Sequence, residues 1–295
     1  MTLDAVAPAL SHLTVENGAE SAQRWMVGLA TERDRADARQ GIFRLSDGGL
    51  AMVERSPFSI ESFEPAHGIS LVATPAGFAA GDLRAHPGAF ALSAWLAGQG
   101  LQVMHAAAVA FGGRGVLLVG PGGAGKTTSA LACALAGGDF LGDDLCLIDI
   151  GDDPDEPARI HSLFATVKLN ADSARRLGAG EWARLGTTPR DKVVFRLPAF
   201  LRTVVSASIA AIVVLAPSDS GPAEASALRP AAATRALAAT GHSLASGAIN
   251  PALWFAAVTR LARRVPAFRL PIGWDLGRLA TGIRRIADEG GEPSQ

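Results

Sequence analysis

The chain has 295 residues, a formal net charge of −1 and 48% hydrophobic residues. This length and composition indicate one large or two modest domains with a sizeable core, and they exclude an intrinsically disordered protein. The near-balanced charge excludes the basic footprint of proteins that bind nucleic acid or anionic membranes. No basic-then-apolar targeting segment opens the chain, and no apolar run has the length of a membrane span. We therefore expect a cytoplasmic protein with neither nucleic acid nor membrane as a partner.

Residues 1–98 predict a small α+β N-terminal region. Apolar and polar residues alternate over residues 41–54 around the sequence DGG, which is the pattern of a β-hairpin. Residues 91–100, ALSAWLAGQG, have the composition of a helix that ends at a glycine. His67 and His86 stand beside prolines and glycines, so we interpret both as loop residues.

A larger unit is predicted over residues 99–287, with a disordered tail over 288–295. It opens with two apolar runs, LQVMHAAAVAF at 101–111 and GVLLV at 115–119, which are joined by a glycine turn. This pattern predicts an antiparallel hairpin with His105 on its first arm.

The second arm leads directly into a glycine-rich loop and a helix. Residues 120–127 read GPGGAGKT and fill the phosphate-loop pattern G-x-x-x-x-G-K-[ST]. Glycines let successive backbone N–H groups face one spot, and the helix N-terminus adds positive potential there. In this pattern Lys126 reaches the outer phosphates and the Thr127 hydroxyl binds magnesium. The predicted nucleotide-binding residues are Gly120, Pro121, Gly122, Gly123, Ala124, Gly125, Lys126, Thr127 and Thr128.

An acidic pair follows the loop helix after one short strand. Two glycines end the helix, and the segment DFLGDD places Asp143 and Asp144 directly behind apolar residues. Because a single short helix joins the two strands, we expect them to run parallel, with their carboxyl ends at the same edge of the sheet. Asp143 and Asp144 are therefore predicted to lie beside the bound phosphates.

The remaining pattern alternates strands and helices around residues 206–217, SASIAAIVVLAP, which predict a strand buried on both faces. A short helix is predicted over residues 171–178 with Asp172 or Ser173 as its N-cap. The acidic loop at 151–157, GDDPDEP, is interpreted as a solvated turn, and a metal site is the alternative.

Five further side chains have a simple interpretation and, for three of them, a functional alternative. Lys168, Arg190 and Lys192 are candidate phosphate or peptide contacts, although solvated surface charge is the simpler interpretation. Cys133 and Cys146 lie in apolar segments and form no CxxC pair. We interpret them as reduced core cysteines.

The chain thus shows a histidine on a hairpin, a phosphate loop, a short helix and an acidic pair, in that order. In this order, and in MHAAAV, GPGGAGKTT and FLGDD followed by LCLID, it resembles the catalytic domain of HPr kinase/phosphorylase, a bacterial serine kinase. It resembles more closely the HPr-kinase-related kinases of peptide natural-product clusters, including lasso peptide kinases. The resemblance covers roughly residues 101–275 and continues more weakly through VKLNADSARRLG, RDKVVFRL and RRVPAFRLPI.

The resemblance implies an α/β fold of the phosphate-loop kinase type found in the HPr kinase C-terminal domain and related to phosphoenolpyruvate carboxykinase. It implies ATP and Mg²⁺ as cofactors, a serine-bearing peptide or protein as partner, and the capacity to form a homo-oligomer. Lys126 would neutralise the outer phosphates and Thr127 would bind the metal. Asp143 would take the serine proton, Asp144 would support the metal or orient the site, and His105 would lie near both carboxylates.

Alternatives remain open for two of these residues and for the function. Asp143 can be only a magnesium ligand, and His105 can be a core histidine. The chain has no clear match to the long HPr-docking segment downstream of the acidic pair, which favours a specialised kinase. We expect a serine kinase of a ribosomally synthesised precursor peptide, as in lasso peptide tailoring. The alternatives are a kinase of HPr or another carrier protein, a small-molecule kinase, and a nucleotide-binding regulatory module without transfer.

Overall fold

A computed structural model shows how the chain folds. It describes residues 9, 24–30, 41–44, 49–55, 58–64, 69–75, 84–188, 190–218, 224–241, 251–273 and 275–290. The predictions for His67 and for the last five residues lie outside these ranges.

Six α-helices fall within the described residues. They are α1 (Ala89–Gly98), α2 (Lys126–Leu135), α3 (Ala171–Arg176), α4 (Pro230–Ala238), α5 (Pro251–Arg264) and α6 (Leu276–Glu289). None of these helices combines the length and the apolar character that crossing a bilayer requires.

The N-terminal part of the chain forms a five-stranded sheet. Its strands are β1 (Arg24–Ala30), β2 (Gly41–Arg44), β3 (Leu50–Arg55), β4 (Phe58–Glu64) and β5 (Ile69–Pro75), in the spatial order β1-β5-β4-β3-β2. Strands β2 and β3 pair antiparallel with Gly41 opposite Val53, so the hairpin predicted over this segment is confirmed. Strand β1 is the exception to the antiparallel pattern, because it runs parallel to β5.

A large mixed sheet carries most of the remaining chain. Its strands are β6 (Gln102–Met104), β7 (Ala107–Phe111), β8 (Arg114–Val119), β9 (Asp139–Gly142), β10 (Cys146–Asp149), β11 (Arg159–Ser162), β15 (Ser206–Pro217), β16 (Ser226–Leu228) and β17 (Ala267–Ile272). The spatial order is β6-β10-β11-β15-β8-β7-β9, with β17 also beside β15 and β16 beside β17. A separate three-stranded sheet has the order β12-β14-β13, formed by β12 (Thr166–Leu169), β13 (Arg184–Thr187) and β14 (Val193–Arg196).

Helices cover both faces of the large sheet. Val116 and Leu118 of β8 pack in the core with α2 and α6, whereas Leu117 and Val119 pack in the core with α4 and α5. This alternation follows from the two-residue period of a strand, and it requires apolar residues at every position of a strand that is covered on both sides. The predicted central strand at 206–217 is confirmed as β15. The mixed α/β architecture is likewise the one expected, while the finer kinase type stays a prediction.

Helix α1 lies between the two main sheets. Its residues Phe90 and Ala94 pack with Leu50 and Phe63 of the N-terminal sheet. Leu96, on another side of the same helix, packs in the core with residues of β6 and β10. A helix that is apolar on all sides is expected where both sides are covered.

The structure corrects three details of the sequence interpretation. Helix α3 is capped by Asn170, whose Oδ1 accepts a hydrogen bond from the Ser173 N–H at 2.8 Å, and not by Asp172 or Ser173. Helix α6 continues to Glu289, so the first two residues of the predicted disordered tail are helical. The apolar run at 101–111 is not one strand, because it breaks at His105 into β6 and β7.

Candidate functional site

The glycine-rich loop joins the carboxyl end of β8 to the N-terminus of α2. Pro121, Gly122 and Gly123 are exposed, and an added Cβ on Gly122 or Gly123 would meet no atom within 4 Å, so the outer face of the loop is open. Gly125 has φ 83° and caps α2, in the left-handed region that glycine adopts without strain. The first N–H groups of α2 have no carbonyl partners within the helix. The first turn of α2 therefore offers amide donors beside an accessible loop.

The Lys126 ammonium is held by the backbone of this loop. Its Nζ donates hydrogen bonds to the carbonyl oxygens of Gly120 at 3.0 Å and Pro121 at 3.2 Å. The residue is buried, and burial lowers the pKa of the Lys126 ammonium below its ordinary value. A desolvated ammonium held by two neutral carbonyls gains from an anionic partner.

Thr127 connects the loop to the acidic pair. Its hydroxyl donates a hydrogen bond of 2.6 Å to Oδ1 of Asp143, which lies directly after β9. Strand β9 runs antiparallel to β7, and β7 runs antiparallel to β8, so β9 is parallel to β8 with β7 between them. The parallel direction that the sequence predicts is thus confirmed. It places Asp143 at the loop edge of the sheet, as expected.

The acidic pair lies at a break between two antiparallel pairings. Ala108 of β7 lies opposite Gly142 of β9, and Met104 of β6 lies opposite Cys146 of β10, in a single continuous register. Between these two pairings both chains leave the strand conformation. Their polar side chains can then converge rather than alternate between the two faces. Asp144, with φ 60°, is one of the two non-glycine residues that the structure describes with positive φ.

His105 and Lys168 both contact Asp144. The His105 Nε2–H donates to Oδ1 of Asp144 at 3.3 Å, and Lys168 Nζ lies 2.8 Å from its Oδ2. His105 is therefore beside the acidic pair, but it lies in the strand break and not on a hairpin arm. The backbone N–H of Lys168 also donates to Oδ2 of Asp143 at 3.4 Å, so β12 contacts both carboxylates.

The two carboxylates have opposite electrostatic environments. Burial and the neighbouring Asp144 raise the pKa of Asp143 to about 7, despite the hydrogen bond from Thr127. Burial also acts to raise the pKa of Asp144, but the hydrogen bond from His105 and the Lys168 ammonium outweigh it and hold that pKa well below its usual range. Asp144 is thus a fixed anion, whereas Asp143 can exchange a proton near neutral pH.

The prediction that His86 is a loop residue is confirmed, because it lies in a bend before α1, whereas the interpretation of Lys168 as solvated surface charge was wrong. The Lys168 side chain is only 13% exposed and contacts Asp144, and its Nζ lies 3.4 Å from Nδ1 of His86. The pKa of His86 falls to about 3, because burial and the Lys168 charge disfavour its protonated form. Lys192 is close enough to Lys126 to lower its pKa further.

One signal in the sequence marks these positions. Of the 27 basic residues, 24 are arginine, and the three lysines are Lys126, Lys168 and Lys192. Arginine is a planar, always charged fork, while lysine is a compact ammonium that tolerates a lowered pKa. A chain that uses lysine so rarely and places all three around one site indicates positions that need the smaller cation.

The other candidate residues of the sequence lie apart from this cluster. Arg190 is exposed on the turn between β13 and β14. The acidic loop at 151–157 wraps its carbonyl oxygens around the Arg264 guanidinium, which donates to Ile150, Asp153 and Glu156 among others. Among the described residues no group of three His, Cys, Asp or Glu side chains could hold a metal. Cys133 and Cys146 are buried free thiols, as predicted.

The residues fit a nucleotide with a divalent cation. The open loop, the helical amides and the Lys126 ammonium match a chain of phosphates. The Thr127 hydroxyl and the Asp143 carboxylate are hard oxygen ligands. Magnesium is commonly held by one or two such groups together with substrate phosphates, so a cage of three protein side chains is not needed.

The comparisons with known proteins give little beyond this geometry. No protein-family model matches the sequence, and no curated protein matches it. Among solved structures, the Hpr(Ser) kinase/phosphatase from Coxiella burnetii is similar, with a TM-score of 0.35 and 14% sequence identity. The similarity covers 64% of this chain and 97% of that chain. A likeness of this size assigns neither a family nor an activity, so the function has to be argued from the site itself.

Proposed function

We propose that this chain is an ATP-dependent serine kinase that phosphorylates a ribosomally synthesised precursor peptide. One observation carries the proposal: the 2.6 Å hydrogen bond between Thr127, at the start of the loop helix, and Asp143 of the acidic pair. It joins a phosphate-binding surface to a carboxylate that can take up a proton. Phosphoryl transfer needs little else from a protein, because it depends mainly on alignment and charge neutralisation.

In the proposed reaction the serine Oγ attacks the γ-phosphorus of ATP. A new O–P bond forms, the bond from the γ-phosphorus to its bridging oxygen breaks, and ADP leaves with that electron pair. The serine proton passes to Asp143, whose pKa of about 7 suits a general base at neutral pH. Lys126 neutralises the outer phosphates, and magnesium, held by Thr127 with a carboxylate, would supply further positive charge.

The contacts allow two assignments of roles to Asp143 and Asp144. In the first, Asp143 accepts the proton and Asp144 supports the metal, as the resemblance implies. In the second, Asp143 is the metal ligand, because it is the carboxylate in contact with Thr127. The second would make Asp144 a purely electrostatic group, since His105 and Lys168 already engage its two oxygens. The metal dependence of an Asp143→Asn variant separates the two assignments. Loss of a metal ligand raises the Mg²⁺ concentration needed for half-maximal rate, whereas loss of the base lowers kcat at saturating Mg²⁺.

The test uses labelled ATP, Mg²⁺ and the peptide encoded beside the gene, with HPr as a parallel acceptor. We expect label on a peptide serine, and we expect Asp143→Asn to lower kcat by about 10²–10⁴-fold while ATP binding is retained. Asp288→Asn, in an exposed ion pair with Arg114, is the matched control and should be neutral.

Label on HPr alone would mean that the phosphate acceptor is a carrier protein and not a peptide. Absence of label on either acceptor, from protein that binds ATP, would contradict the kinase function. A biological role that survives Asp143→Asn would instead favour a regulatory nucleotide-binding module.

A further inference from the structure

The segment before α1 is fastened to the strands that carry the site. The carbonyl oxygen of Ala85 accepts a hydrogen bond of 2.7 Å from the Thr166 hydroxyl at the start of β12, the strand of Lys168. The Arg84 guanidinium donates to the carbonyl oxygen of Leu185 in β13. Both contacts join residues more than 80 positions apart in sequence. They fix the backbone on the N-terminal side of His86.

The His86 ring is held against the site by two contacts. Its centroid lies 5.0 Å from that of the Phe164 ring, with the planes tilted by 41°. Its Nδ1 lies 3.4 Å from Lys168 Nζ. An ammonium is only a donor, so Nδ1 is the acceptor and the ring proton is on Nε2. Burial and Lys168 lower the pKa of His86 to about 3, so the ring is neutral and keeps this lone pair throughout the physiological range.

Lys168 stands between this acceptor and the acidic pair. Its ammonium is 2.8 Å from Asp144 Oδ2, and its backbone N–H donates to Asp143. A lysine side chain has four rotatable bonds, and a contact on either side of the ammonium restricts them. His86 thus fixes one side of the cation whose other side meets Asp144.

The N-terminal sheet supports this arrangement from outside. The Glu61 carboxylate of β4 accepts hydrogen bonds from the N–H groups of Phe90 at 2.9 Å and Ala91 at 3.4 Å, at the first turn of α1. Glu61 is buried, and an anion at a helix N-terminus is favourable. The segment that carries His86 is therefore anchored on one side to the N-terminal sheet and on the other to β12 and β13.

We propose that His86 is a positioning residue of the kinase: it directs the Lys168 ammonium onto Asp144. Through His86 the N-terminal region completes the acceptor side of the site, which His105, Asp144 and Lys168 form with it. This inference rests on the proposed function. It predicts that kcat depends on a hydrogen-bond acceptor at position 86, and that the affinity for ATP, which we assign to the loop at residues 120–128, does not.

The test compares substitutions that separate the acceptor from the packing. His86→Leu keeps an apolar side chain against Phe164 and removes the acceptor, while His86→Asn keeps an acceptor atom at the place of Nδ1, bonded to Cγ. We expect His86→Leu to lower kcat by about 10–100-fold with KM for ATP unchanged, as for other outer partners of active-site groups. His86→Asn should recover most of that loss. His161→Leu, at a half-buried histidine of β11, is the matched control and should be neutral.

A double-mutant cycle shows whether His86 acts through Lys168. The His86→Leu, Lys168→Met double variant should be no slower than Lys168→Met alone. Additive losses would overturn the positioning role, as would a His86→Leu variant of wild-type activity or a His86→Asn variant no faster than His86→Leu. An inactive wild-type protein would overturn the proposed function, and this inference with it. If the wild-type protein is active and substitutions of His86 leave kcat unchanged, the inference alone is overturned.

Discussion

The two sides of the site are built in different ways. The proposed nucleotide side is one continuous stretch, residues 120–128, in which the glycine-rich loop after β8 leads directly into the first turn of α2. The acceptor side collects His86, His105, Asp144 and Lys168 from four separate segments. The first side depends on local backbone geometry, whereas the second depends on the whole fold. Substitutions on the two sides should therefore differ in their effects on ATP binding and on kcat.

The largest effect is expected on the nucleotide side, from Lys126→Met. This change removes the ammonium from the loop and leaves the carbonyl oxygens of Gly120 and Pro121 without that donor. We expect ATP affinity and kcat to fall together, with a loss in kcat/KM of about 10³-fold, at the upper end for one charge-stabilising group. Calorimetric titration with ATP and single-turnover transfer measure the two parts. A variant that binds ATP as tightly as wild type would contradict the assignment of Lys126 to the phosphates.

On the acceptor side, Lys168→Met should lower kcat and spare ATP binding. The change leaves the Asp144 carboxylate with His105 as its remaining partner, so the charge that holds Asp144 ionised is weakened. We expect a loss in kcat of about 100-fold, as for other supporting partners of an active-site group. Lys192→Met is the comparison variant, because it removes an ammonium that lies near Lys126 and not in the Asp144 cluster. Equal losses from both variants would mean that only the summed positive charge matters.

A third, smaller contrast lies within the loop itself. Gly125 has φ 83°, and an added Cβ there would lie 2.9 Å from Ile272 Cδ1, whereas a Cβ on Gly122 would meet nothing within 4 Å. Gly125→Ala should weaken ATP binding by about 1–2 kcal/mol through backbone strain, and Gly122→Ala should not. Titration of both variants with ATP measures the difference. Equal affinities would show that the bound loop does not need this conformation.

These two modes of construction explain what could be predicted from the sequence. The nucleotide side is readable because its pattern is local, and the position of Asp143 follows from the parallel direction of two strands that one short helix joins. The proposed role of His86 is not readable, because it depends on Thr166 and Glu61 holding a segment whose sequence, with Pro87 and Gly88 beside the histidine, indicates only a loop. Lys168 was misjudged for the same reason: a charged residue in a strand indicates exposure until the partner strand brings a carboxylate. The break at His105 was hidden inside an unbroken apolar run.

The smallest effect concerns stability, and it compares Asp143, which contacts Thr127 of the nucleotide side, with His86 of the acceptor side. Burial raises the pKa of Asp143 from 3.8 to about 7, so folding takes up a proton in that interval and the free energy of unfolding falls as pH rises through it. The pKa of His86 is lowered from 6.5 to about 3, so folding releases a proton there and the free energy of unfolding falls as pH drops below 6.5. Between about pH 4 and 6.5 the two contributions oppose each other, and the metal-free wild type should show little net slope from this pair.

Single substitutions should reveal how each of the two groups makes the free energy of unfolding depend on pH. Asp143→Asn removes the first, so its stability should rise with pH by up to about 1.4 kcal/mol per unit in this interval relative to wild type. His86→Leu removes the second, so its stability should fall with pH by a similar amount. Urea unfolding at pH 5, 5.5, 6 and 6.5 with a chelator present, at ~25 °C, measures both. Opposite slopes of the free energy of unfolding against pH require that, in the folded protein, Asp143 is protonated and His86 is neutral. Parallel slopes would mean that at least one of them is solvated in the free protein, and the acceptor side would then have to form only when substrate binds.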